Sequence, residues 1–313
     1  MLFLWIVIFI LALIVLVKGA DYLLLASEKI GLAAGMSQFV VGLTIVAVGT
    51  SLPELLTSLV ATFQDLSEYV VATAVGSNIA NIFLIIGIAA ILTKRLIIKK
   101  ETVNLDLPIL SIATALFLIM VIDGRVDFIE SVVLLLTYLV YIAFSIFYKT
   151  ERTSIVKRKP NITLRDILIL ILGIIGLGVG SKYLIDSLVQ ISIILNLAPS
   201  LIVITVVAVG TSLPELVVSV KAAMRRQSEL ALGNIIGSNI FRLLFMVGLP
   251  GLFSVLMVDP LTFAVGIPFL IIATLIFVIS CCNDSTAFFI RFSASRLISL
   301  IMTCSDCGSN LSP

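Results

Sequence analysis

The chain has 313 residues, of which 60% are hydrophobic and only 12% charged, and its mean hydropathy is +1.26. A soluble domain carries about 25% charged residues, and single cores stop growing near about 250–300 residues, so the apolar excess has to face lipid. There is no His, which excludes Ser–His–Asp and Cys–His nucleophiles and His-ligated zinc, and the net charge of +2 includes no basic block of the kind that binds nucleic acid.

About 20 apolar residues cross the hydrocarbon core as a helix. In chain order such stretches occupy 2–30, 37–62, 69–93, 105–122, 128–148, 166–195, 199–223, 230–257 and 260–281, with a tenth near 286–303. The fold class expected is an all-α multi-span membrane protein of about ten transmembrane helices. The opening MLFLWIVIFILALIVLV has no basic n-region and no small-residue cleavage site, so it reads as a retained helix and not a signal peptide. At about 29 and 30 residues, or roughly 45 Å, the first and sixth spans should be strongly tilted. The polar, basic segment 149–165 is the one obvious linker. Cys281, Cys282, Cys304 and Cys307 all fall at the C-terminal end, so no disulfide framework runs through the fold, and a lone C-x-x-C carries no zinc or redox reading. From about residue 281 the composition turns atypical, with Arg291 and Arg296 inside the tenth span.

Lys and Arg in the loops give the orientation. Loops after odd-numbered spans carry Lys29, then Lys94, Arg95, Lys99 and Lys100, then Lys149, Arg152, Lys157, Arg158, Lys159 and Arg165, then Lys221, Arg225 and Arg226. The opposite side carries only Arg125. The odd-numbered loops are therefore expected in the cytoplasm and the N-terminus outside.

An internal repeat organises the chain. Residues 44–55 read TIVAVGTSLPEL and residues 205–216 read TVVAVGTSLPEL; further on, AVGSNIANIFLIIG (74–87) matches NIIGSNIFRLLFMVG (234–248). One ungapped offset of 161 residues joins both matches and spans five helices, an odd number. The second copy should therefore enter the membrane from the opposite face, the architecture of many secondary transporters whose sites lie at the repeat interface. The halves expected are 1–148, with its repeat core at 37–93, and 166–313, with its core at 199–257.

Each copy places Gly-Thr-Ser-Leu-Pro-Glu inside an apolar helix. Pro53 and Pro214 have no N–H, so the carbonyls of Gly49 and Gly210 lose their helical partners and local unwinding is expected. Thr50, Ser51 and Glu54 share one face by i, i+3 and i, i+4 spacing, as do Thr211, Ser212 and Glu215. Ser77 and Asn81 add an oxygen pair from the next helix, and Ser238 adds its counterpart in the second copy. Carbonyls, hydroxyls, an amide and two carboxylates form a hard oxygen environment suited to Na⁺, Ca²⁺ or Mg²⁺. A charged Glu at mid-bilayer costs at least about 2.5–3.5 kcal/mol, so Glu54 and Glu215 need partners or protons. The bland alternative, two kinked helices with snorkelling carboxylates, leaves the matching GSN segments unaccounted for. Gly173, Gly176, Gly178 and Gly180 read as close helix packing through small residues, and Lys18 with Asp21 and Lys182 with Asp186 as pairs within one helix near the membrane edge, a gating contact being the alternative.

The doubled GTSLPE, with GSNIAN (76–81) and GSNIFR (237–242), resembles the α-repeats of the calcium/cation antiporter superfamily, in its prokaryotic sodium/calcium exchanger branch. The resemblance implies ten spans in two inverted halves in the plasma membrane and exchange of cytoplasmic Ca²⁺ for Na⁺, with no cofactor beyond the transported ions and no enzymatic step. It maps ion ligands onto Ala47, Thr50, Ser51, Glu54, Ser77 and Asn81, then Ala208, Thr211, Ser212, Glu215 and Ser238. Of these, Glu54, Glu215, Thr50 and Thr211 are expected to hold Ca²⁺. It also implies that the first and sixth helices slide over the core.

One position departs. Where the family's second repeat offers an acidic or amide ligand, this chain has Arg242, the repeat mate of Asn81. Either the guanidinium points into the ion site as a built-in cation that weakens Ca²⁺ exchange, or it turns away to lipid headgroups or a distant carboxylate. Exchange of another cation pair (H⁺ or K⁺ for Ca²⁺, or Na⁺ for H⁺) is the neighbouring reading. A hydrolase using Ser51 or Ser212 is disfavoured, since no His exists and no Lys adjoins either Ser. A passive channel would not need two inverted halves.

Overall fold

A computed structural model describes residues 2–85, 105–150, 161–195 and 212–282. The far end of the third span, the centre of the basic linker, Ala208, Thr211, the tenth span and the Cys304/Cys307 pair lie outside the described residues. Nine helices are described: α1 (Leu2–Ala33), α2 (Gln38–Phe63), α3 (Ser67–Ala80), α4 (Leu107–Met120), α5 (Phe128–Thr150), α6 (Leu164–Ile194), α7 (Leu213–Met224), α8 (Ser228–Gly251) and α9 (Ile267–Cys282). Six described stretches are long and apolar enough to cross a membrane. A two-residue antiparallel ladder joins β1 (Arg125–Val126) to β2 (Leu256–Met257).

The breaks follow local chemistry. Gly35, at φ +79°, turns the chain out of α1, and Ser37 Oγ then accepts the Val40 N–H to start α2. Asp127 and Glu130 cap the start of α5 reciprocally, each carboxylate accepting the other's backbone N–H at 2.8 and 3.0 Å. The eighth apolar stretch ends as a helix at Gly251, not at 257, because Leu256 and Met257 pair with Val126 and Arg125.

Burial sorts the helices into two layers. Of the central stretch of α8, 94% is buried, and of α2, 72%, against 17% for α1 and 28% each for α5, α6 and α9. The outer helices show bare Leu, Ile and Phe side chains, which a hydrocarbon solvent accepts without cost. At the centre, α2 and α8 cross with their backbones touching. A Cβ on Gly42 would strike the Leu230 carbonyl, and one on Gly233 or Gly237 would strike the carbonyl of Phe39 or Leu43. α1 and α6 pack the same way, Gly173 against the Leu23 backbone, Gly176 against Gly19 and Gly180 against Leu16. Gly178 departs from that stripe, facing the Pro53 ring of α2 instead. α1 and α6 have 32 and 31 residues, about 45–50 Å each, far more than a bilayer core of about 30 Å.

The duplication is written into the backbone as well. Asp65 and Arg226, 161 positions apart, are the only described non-glycine residues with positive φ, at 61° and 62°. Each sits in the tight turn between the two helices of a hairpin, α2–α3 and α7–α8. Wide, π-type turns then recur at Asn81–Ile85 and Phe241–Met246. The two hairpin turns lie at opposite ends of the molecule. The first is beside β2, where the Met257 N–H reaches Ser67 Oγ and Phe63 packs on Phe253; the second is beside α1, where Gln227 donates to Glu28 at 2.9 Å.

Two local expectations are corrected. Pro53 does not unwind α2, since helix continues unbroken from Ala47 to Phe63. One missing N–H removes a single bond, the flanking turns hold, and the wide turn falls earlier, at Gly42–Val46. Pro214 instead occupies the first turn of α7, where its lacking N–H is harmless. Nor does Asp21 pair within its own helix. Its carboxylate reaches Lys221 Nζ at 2.6 Å and Arg225 NH2 at 2.5 Å, both on or just after α7.

Candidate cation site

Four helices meet at a buried polar cluster inside the two-layer core. α2 presents Thr50, Ser51 and Glu54, and α3 presents Ser77 and Asn78, with Asn81 opening the wide turn that follows it. α7 begins at Leu213 with Ser212 before it and Glu215 in its first turn, and α8 brings Asn234, Ser238, Asn239 and Arg242. None of these residues is more than 6% exposed.

Several of the bonds run across the repeat copies. Ser51 Oγ on α2 donates to Glu215 Oε1 on α7 at 2.8 Å. Ser77 Oγ donates to Glu54 Oε1 at 3.2 Å. Asn81 Nδ2 donates to Ser238 Oγ at 2.7 Å and lies within 3.4 Å of Asn239 Oδ1 and the Ile235 carbonyl. Asn78 Nδ2 donates to the carbonyl of Asn239 at 3.2 Å. Those two residues are repeat mates, 161 positions apart. Thr50 Oγ1 donates to the Ala47 carbonyl at 3.1 Å and lies 3.4 Å from Asn234 Oδ1, while Asn234 Nδ2 donates to Ser219 Oγ at 2.8 Å.

Arg242 ties the two acids together. Its Nε donates to Glu54 Oε2 at 2.5 Å, and its NH2 stands 2.6 Å from Glu215 Oε1, an ion pair too far out of line to count as a hydrogen bond. The guanidinium is wholly buried. It has not turned away to headgroups or to a distant carboxylate. The wide turn beginning at Phe241 carries it, and such turns re-aim a side chain relative to the helix before it. Two carboxylates against one guanidinium leave a formal charge of −1. A lone ion in this interior would be very costly, whereas a paired and hydrogen-bonded set is tolerable.

Several acceptors remain unmatched among the described residues. Glu215 Oε2, Asn81 Oδ1 and Ser212 Oγ are buried and have no hydrogen-bond partner. Unpaired buried oxygens cost free energy unless a cation or water meets them, so the cluster presents hard oxygen ligands to a small cation.

Of the residues that sequence reasoning singled out, the structure gathers Ala47, Thr50, Ser51, Glu54, Ser77, Asn81, Ser212, Glu215, Ser238 and Arg242 in this region. Asn78, Asn234, Asn239 and Ser219 were not singled out. The signal for Asn78 and Asn239 was present, since both copies read Gly-Ser-Asn. Asn234 gave none, because its repeat mate is Thr73.

The profile of the sodium/calcium exchanger protein family matches residues 4–147 and 166–304. The chain belongs to the sodium/calcium exchanger family. Among curated relatives of this exchanger, an uncharacterized membrane protein of Methanocaldococcus jannaschii is 37% identical, covering 74% of this chain and 76% of its own length. The sodium/calcium exchanger MaX1 of Methanosarcina acetivorans is 32% identical over 87% of this chain and 89% of its own. Among solved structures, the sodium-calcium exchanger NCX_Mj soaked with Na⁺ and Sr²⁺ matches with a TM-score of 0.79 at 31% identity, covering 96% of this chain and 99% of that one.

Proposed function

We propose that this exchanger is a secondary active antiporter that extrudes cytoplasmic Ca²⁺ against inward Na⁺ by alternating access at the Glu54–Glu215 cluster. The observation that carries this reading is the meeting of two acidic residues from separate repeat copies in one buried, oxygen-rich cluster. The named relatives MaX1 and NCX_Mj support it. Ten spans form two inverted five-helix halves around the site, with the N-terminus outside and the chain in the plasma membrane. The reading draws support from the hairpin turns at opposite molecular ends and from the basic residues crowding the α7–α8 end.

The two acids together would hold a stripped cation, with Thr50 and Ser77 beside Glu54 and Ser212 and Ser51 beside Glu215. Thr211 and the carbonyls of Ala47 and Ala208 complete the proposed ligand set. Binding replaces lost hydration with fixed oxygens, and no covalent step is involved. α1 and α6, held together at backbone contact and set against the core, are the moving pair.

Counterflow in sealed vesicles tests the reading. Labelled Ca²⁺ should enter only against Na⁺ on the far side. Entry regardless of a counter-cation would mean a channel, and no entry under any gradient would remove the exchange reading.

A further inference from the structure

We propose that Arg242 is a tethered counter-cation that occupies one cation seat between Glu54 and Glu215 and shifts the site from divalent towards monovalent ions. This rests on the exchange reading above and names the ion class that the same site prefers.

One guanidinium meets both acids, through Nε to Glu54 Oε2 at 2.5 Å and NH2 to Glu215 Oε1 at 2.6 Å. Among the described residues no other cation touches either carboxylate. A group wedged between two carboxylates stands where a free cation would bind, and its covalent link to α8 keeps it from leaving with transport. The duplication gives an internal control. The repeat mate, Asn81, is a neutral amide whose described hydrogen bonds reach across to Ser238, Asn239 and the Ile235 carbonyl and go to neither acid. The fold therefore accepts a neutral side chain at this register, and the charge is a property of the second copy alone.

The electrostatics decide the ion class. With both carboxylates ionised, the guanidinium leaves a charge of −1, which one monovalent cation neutralises. A divalent cation would leave an excess positive charge buried away from water, and an uncompensated buried charge is costly. The acceptors still open, Glu215 Oε2, Asn81 Oδ1 and Ser212 Oγ, are all hard oxygens, the ligand type that small cations such as Na⁺ take.

The test compares wild type, Arg242→Asn and Arg242→Lys in proteoliposomes, reading labelled Na⁺ self-exchange and labelled Ca²⁺ uptake into Na⁺-loaded vesicles. Arg242→Asn should raise the ratio of Ca²⁺ to Na⁺ flux at least about tenfold, and Arg242→Lys should stay within about threefold of wild type. An unchanged ratio in Arg242→Asn overturns the proposal while leaving exchange intact. If neither wild type nor Arg242→Asn exchanges Na⁺ or Ca²⁺, the exchange reading falls and the proposal with it. Melting of the purified wild type keeps the proposal open to refutation even if the variant fails to fold. Na⁺ should raise its melting temperature more than Ca²⁺ at equal ionic strength, and the reverse order overturns the proposal.

Discussion

Glu54 and Glu215 occupy equivalent places in two copies, yet their surroundings differ. Glu54 accepts from Ser77 and from Arg242 Nε, while Glu215 accepts from Ser51 and keeps one oxygen free. Neutralising either acid leaves the guanidinium with one carboxylate, so the fold should hold while the ion seat is lost. Glu54→Gln and Glu215→Gln should each abolish Na⁺-driven Ca²⁺ uptake in vesicles, with melting showing an intact fold. Normal transport by either would refute the site assignment. Ser and Thr positions were readable from their spacing along one helix. The convergence of Ser51 and Arg242 on one oxygen of Glu215 was not, because it joins residues 164 positions apart or on separate helices.

At the scale of elements, glycine placement separates two kinds of contact on α6. A Cβ added at Gly173 would come within 2.6 Å of the Leu23 backbone nitrogen, which cannot yield without moving α1. At Gly178 it would meet only the Pro53 ring carbon, at 3.2 Å. Gly173→Ala should therefore destabilise by about 1–3 kcal/mol, the usual cost of overpacking, and Gly178→Ala by clearly less, as denaturation in detergent would measure. Equal losses would mean that α1 and α6 are not in backbone contact. The sequence marked the small-residue stripe but could not tell which glycine faced which helix. Similarly, Lys18 and Asp21 are close along the chain, yet Asp21 is claimed by Lys221 and Arg225 because α7 ends beside it. That pair is partly exposed and contributes little to stability, typically about 0–1 kcal/mol. Its consequence is positional, tying α1 to the core at one end.

For the whole molecule, the two ends differ in charge. The α7–α8 end gathers Lys29, Lys221, Arg225 and Arg226, whereas the β1–β2 end has Arg125 paired with Asp123. In the proposed orientation the first end faces the cytoplasm, as the positive-inside tendency favours. With Cys281, Cys282, Cys304 and Cys307 replaced by Ser, Asp123→Cys should react with an impermeant maleimide added outside cells. Met224→Cys, an exposed position at the other end, should react only after permeabilisation. The opposite pattern would reverse the orientation.

Membrane residence, the positions of most described helices, the repeated sequence and the two acids within it were legible in the sequence alone, because hydropathy, spacing along a helix and repetition are properties of the chain read locally. The meeting of Arg242 with both acids, the contact of Asn78 with its own mate and the capture of Asp21 by α7 needed the fold. These contacts depend on which helices cross and at what height, and a polar group buried at such a crossing takes whatever partner the packing supplies.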